Sequence, residues 1–133
     1  MASGQVINMD SASLVNKIAA DKEKLVKLKN SIPDKEKAKK ETAQQAQESA
    51  DDNRRAANNL SDNSQDKKLA RKANSKAGDA KSDARKARKA AQDLEDLYKD
   101  IQRLTEKIEK EQKKLDKLRG IPEVRVQPDS THA

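Results

Sequence analysis

The chain has 133 residues, of which 40% are charged and only 32% hydrophobic; its formal net charge is +7 and Tyr98 is its single aromatic. Three glycines, three prolines and no cysteine exclude a disulfide framework, a thiolate metal site and any turn-rich β architecture. Strong helix formers (Ala, Lys, Leu, Glu, Gln and Arg) make up more than half of the chain. That composition points to long helices or a coiled coil.

No apolar run approaches the ~18 residues that a membrane span needs. Met1–Asp10 lacks a basic segment followed by an apolar one, so a Sec-type leader is not expected. The protein is therefore expected in the cytoplasm, and any export is expected by a non-Sec route.

In chain order, residues 1–9 read as a short N-terminal extension with an extended patch at Val6-Ile7. Asp10-Ser11-Ala12-Ser13 offers capping oxygens just ahead of Leu14. Leu14, Ile18, Leu25, Leu28 and Ile32 then follow a four-three spacing, with Asp21 in the one missing slot. Pro33 lacks an amide donor and crowds the carbonyl four residues back, so it is expected to kink or split this arm. Beyond it the inward positions are expected at Ala43, Ala46, Ala50, Ala57 and Leu60, with Asn53 filling a gap. Ser61–Asp66 is a run of short polar side chains that favour turns and caps over helix interiors.

From Leu69 to Leu118 the four-three alternation is sustained over fifteen positions, and only Lys76, Asp83 and Glu111 break its apolar character. The period predicts a left-handed coiled coil. Gly78 weakens this helix locally. Gly120 stands where a terminal cap glycine belongs, with Pro122 after it. The two arms, 10–60 and 66–119, are nearly equal in length. The expected fold is therefore all-α: an elongated antiparallel helical hairpin at 10–119, with a turn near 61–66 and a flexible tail at 120–133. A turn centred near Asp62 pairs residue i with about 124 − i. Few large apolar side chains serve so long a seam, so a second hairpin or another helical partner is expected to cover it.

No catalytic constellation is present. His132, the only histidine, lies in the tail, and Asp93, Glu95, Asp96 and Asp100 alternate with Lys99 and Arg103 as an ion-paired helix face does. Neither metal nor cofactor is expected, and no enzyme activity. The positive charge concentrates in residues 67–89, where ten basic residues meet only Asp79 and Asp83. Lys67, Lys68, Arg71, Lys72, Arg85, Lys86, Arg88 and Lys89 are candidate phosphate contacts for nonspecific nucleic-acid binding, though no aromatic is interleaved for base stacking. The alternative is a solvated face that Glu48, Asp51 and Asp52 of the opposing arm partly neutralise.

The opening Gly4–Leu14, followed by Ile18, Ala19, Leu25, Leu28 and Ile32, resembles the start of the WXG-type small helical-hairpin proteins of type VII secretion. The Trp-x-Gly turn is missing, the arms are longer than in that family, and Tyr98 is followed four positions on by Gln102 and not by an acid. In these respects the chain is more similar to the divergent helical partners that accompany LXG-type toxins. The resemblance implies a non-enzymatic partner that binds the helices of a toxin's N-terminal domain, or of a second hairpin, and helps deliver it. The expected interface is the seam: Leu14, Ile18, Leu25, Leu28, Ile32, Leu94, Leu97, Ile101, Leu104, Ile108 and Leu115. A structural adaptor of another export or phage machine is the remaining alternative.

Overall fold

The computed structural model of the chain describes residues 2–120, with side chains from Asp10 onward. The described residues form three helices, α1 (Ala2–Asn30), α2 (Ile32–Asp62) and α3 (Lys67–Leu118). The protein is an all-α helical hairpin with an interrupted first arm, the class that composition and periodicity predict. Residues 121–133, including His132, lie outside the described residues.

Each boundary has a local cause. α1 is already helical at Ala2, so the extended stretch expected before Asp10 is absent. The capping oxygens of Asp10, Ser11 and Ser13 stand inside the helix, because no proline or turn signal upstream stops it from continuing toward the N-terminus. The arm breaks at Ser31, two residues before Pro33. Proline at that place cannot donate to the carbonyl of Lys29, and helical pairing resumes with the Lys35 amide donating to the Ser31 carbonyl at 3.1 Å.

α2 runs through Ser61 to Asp62, and its end is closed by the Asn63 amide, which donates to Asn59 and Leu60 at 3.2 and 3.0 Å. Asp66 then starts α3 as a cap: its carboxylate accepts from the amides of Lys68 and Leu69 at 2.9 and 3.1 Å. At the far end Gly120 adopts φ 74°, the left-handed conformation that glycine enters at least cost.

The chain divides into two compact units: α1 with α3 from Lys99 onward, and the segment Ser31–Tyr98. The first has a leucine–isoleucine core. Ile18, Leu104, Ile108 and Leu115 are buried, with Leu14, Leu25 and Leu28 packed against them. The second pairs α2 with the first part of α3 across smaller residues. Ser49, Ala56 and Ala90 are buried there, together with Leu94 and Leu97.

All fifteen predicted seam positions of α3 are buried or half-buried, including Lys76, Asp83 and Glu111. The period therefore identifies the inward positions of α3, though Asp116, also buried, lies beside them. α2 departs from expectation. Ala46, Asn53 and Leu60 face inward as predicted, but Ala43, Ala50 and Ala57 are exposed, and Thr42, Ser49 and Ala56 hold the slots beside them. A single methyl group is a weak guide to burial, and Ser49 outcompetes Ala50 because its hydroxyl has an acceptor on α3.

The pairing offset also differs from the expected sum of 124. Ser49 meets Asp83 and Glu36 meets Tyr98, so the paired numbers sum to 132 and 134. α2 continues to Asp62 and α3 starts only at Lys67, which displaces the turn toward the C-terminus. Leu25 and Leu28 pack against the cluster of Ile18, Leu104, Ile108 and Leu115.

Candidate functional site

Three surfaces carry chemistry, and each lies within one unit. In the unit of α1 and the second part of α3, the seam contains one polar layer. Asp21 and Glu111 each occupy a seam slot of their own helix, and they are 5% and 8% exposed. Lys107 Nζ lies 3.3 Å from Asp21 Oδ2, yet among the described residues neither that oxygen nor either oxygen of Glu111 has a hydrogen-bond donor. Burial pushes the Glu111 carboxyl above its ordinary range, reinforced by the adjacent Asp21 carboxyl and its charge. The neighbouring Glu111 carboxyl, with Lys107 and Lys24 nearby, holds Asp21 below its ordinary value.

On one flank of this unit a groove of about 300 Å³ is lined by Val15, Ile18, Ala19, Lys22, Gln112, Leu115 and Arg119. A second, of about 340 Å³, is lined by Lys24, Leu28, Asp100, Arg103, Leu104 and Lys107. The first lining has cations but no carboxylate. The second has three cations and Asp100.

In the unit Ser31–Tyr98 the polar layer is satisfied. Asp83 accepts from the Ser49 hydroxyl and from the Gln45 amide, and the Ser49 bond is the main cause of its lowered pKa. Near the end of this unit the Tyr98 hydroxyl donates to Glu36 at 2.9 Å, which raises the phenol's pKa.

The third surface is the outer face of α3 at 67–89. Lys67, Lys68, Arg71, Lys72, Arg85, Lys86, Arg88 and Lys89 are all exposed. Only Lys89 has an ion pair in range, with Asp93 at 3.2 Å, among the described residues. Of the acids on the opposing arm, Asp51 and Asp52 pair with Arg54 and Arg55 of their own helix, at 2.9 and 3.0 Å. The carboxylates at 93–100 are engaged as a helix face is: Asp93 with Lys89, Asp96 with Gln92, and Asp100 with Arg103. Among the described residues no group of three potential metal-binding side chains converges, and no helix is long and apolar enough to cross a membrane.

Of the seam residues expected to bind a partner, Ile18, Leu94, Leu97, Leu104, Ile108 and Leu115 are buried, while Leu14, Leu25, Leu28, Ile32 and Ile101 are half-buried. The buried ones hold the chain's own helices together, so only the edges of the seam are open to another protein. Two features escape a reading confined to that seam. One is the meeting of Asp21 and Glu111, for which the signal is that both sit in seam slots. The other is a second row on α1, Val15, Ala19, Lys22 and Val26, which repeats the four-three spacing one residue on.

Comparison with family models, with curated proteins and with solved structures finds no match to this chain.

Proposed function

We propose that the protein is a non-enzymatic helical partner, a targeting factor of the kind that accompanies LXG-type toxins of type VII secretion, and that it works by packing its helices against those of the toxin's N-terminal domain. One observation carries the reading. Among the described residues no large side chain is completely sheltered from solvent, and five leucines and isoleucines of the seam stay half-exposed. Two helices alone cannot enclose a seam; a bundle of four does. The opening residues, which resemble the WXG-type hairpins, support the same reading, as does the lack of any catalytic constellation in the sequence. In this reading the protein is made in the cytoplasm and any export is by a non-Sec route.

Co-expression with an LXG-type toxin domain encoded in the adjacent gene, followed by size-exclusion chromatography, tests the reading. Co-elution in a defined ratio is expected, and separate elution overturns it.

A second reading, nonspecific nucleic-acid binding, is favoured by a specific observation: Asp51 and Asp52 pair with arginines of their own helix, and the exposed basic residues of 67–89, apart from Lys89, have no ion pair among the described residues. Gel shifts across a salt series separate the two. A shift that weakens steeply with salt and with Arg85→Ala supports the phosphate contact, and no shift at low salt removes it.

A further inference from the structure

The unit of α1 and the second part of α3 has more apolar surface than one neighbouring helix can use. The seam row of α1 is Leu14, Ile18, Asp21 and Leu25. The row beside it, Val15, Ala19, Lys22 and Val26, has the same spacing but no partner helix, and its two valines are 39% and 55% exposed. Two adjacent rows make an arc wide enough to contact two helices, as bundle helices do. Within this unit α3 covers only the first.

The groove along the second row has Ile18 and Leu115 as its floor and Val15 and Ala19 as one wall, with Lys22 and Arg119 beside them. This combination fits an apolar knob flanked by a carboxylate, since Arg119 can grip a carboxylate with two parallel donors and Lys22 adds a point charge. A second copy of the chain is a poor occupant. Residues 10–30 and 99–120 hold 13 basic and 8 acidic side chains, so two such units meet with a surplus of +5 each.

We propose that this groove receives an amphipathic helix of a partner protein, docked by a leucine-type stripe and held in orientation by Asp or Glu residues beside that stripe. The proposal rests on the partner-binding reading above and adds the chemistry of the helix that is bound.

Two synthetic helical peptides test it. They share one leucine heptad and differ only in carrying Glu or Lys beside it, and binding is read by fluorescence anisotropy. The Glu peptide is expected to bind roughly tenfold more tightly. The double variant Lys22→Glu/Arg119→Glu should invert the preference, and Val15→Asp should weaken both peptides. A variant of equal net charge, Lys67→Glu/Arg71→Glu, should leave the preference intact, which separates the groove from long-range attraction. All five positions are exposed, and circular dichroism confirms the helicity of each variant.

The proposal is overturned if neither peptide binds, if the preference survives Lys22→Glu/Arg119→Glu, or if sedimentation shows that the groove is closed by a second copy. The two readings fail separately. Toxin-domain co-elution that persists in Val15→Asp and in the charge reversal removes the groove alone. Peptide responses as expected, without any co-eluting toxin domain, remove the export reading alone.

Discussion

The two units of this chain are built on the same four-three period but filled differently. One packs isoleucine and leucine around Ile18, Leu104, Ile108 and Leu115; the other relies on alanine and serine, with Ser49, Ala56 and Ala90 as its inward residues before Leu94 and Leu97. Their polar layers invert this ranking. The unit with the stronger apolar core contains the unresolved layer of Asp21 and Glu111, whereas the alanine-lined unit contains a layer in which Asp83 has donors from Ser49 and Gln45. Apolar burial and polar satisfaction are thus separate design variables, and each unit is strong in one of them.

The largest break in this comparison is expected from Leu115→Ala. Leu115 is 3% exposed, and its truncation should cost about 2–4 kcal/mol in chemical denaturation. A loss below about 1 kcal/mol would mean that the leucine core contributes little more than the alanine seam.

The next effect concerns the acid pair. The Glu111 carboxyl is raised above 4.5 in the folded chain, so folding favours its protonated form, and the stability gained is lost as pH rises through the folded value. Asp21 is lowered below 3.8, so its contribution is present above that value and lost only as pH falls through the depressed one. The melting temperature should therefore rise as pH falls from neutral toward 4.5 and decline only below 3.8. Lys17, Lys24 and Lys107 face the pair and soften this dependence without reversing it. Glu111→Leu should raise the melting temperature at neutral pH by several degrees and flatten the profile, because it replaces a buried carboxyl without a hydrogen-bond partner by a side chain suited to its neighbours. An unchanged profile would show that burial does not perturb the pair.

Gly78 and Ser49 sharpen the picture of the weaker unit. A Cβ at Gly78 meets nothing within 4 Å, so Gly78→Ala should stabilise α3 by up to about 1 kcal/mol in thermal melts. The smallest expected change is a slight fall in melting temperature for Ser49→Ala, recovered when Asp83→Ala is added, because the double variant leaves no buried acceptor without its donor.

Much of this was legible in the residues themselves. The inward face of α3 follows from the spacing of its leucines and alanines, and the breaks at Pro33, Asp66 and Gly120 follow from backbone chemistry that each residue type imposes. What failed was the placement of alanines. Ala43, Ala50 and Ala57 differ too little from Thr42, Ser49 and Ala56 in apolar area for spacing to choose between them, and the choice is made by the Ser49 hydroxyl, whose acceptor lies 34 residues away. The turn centre was misplaced for a related reason. Ser61 and Asp62 favour turns, but α2 absorbs both before Asn63 closes it. The second row of α1 is hard to read because it lies beside a stronger one on the same helix.

The Asp21–Glu111 layer has a consequence for accuracy of assembly. If α1 slid by one heptad along α3, Asp21 would confront Leu104 or Leu118, and Glu111 would be left against Leu14 or Leu28, so that each buried carboxyl would face only apolar side chains. A seam of leucines alone tolerates such slips almost freely; a single costly rung does not. The pair thus acts as an index mark that lets a repetitive interface be assembled in only one alignment.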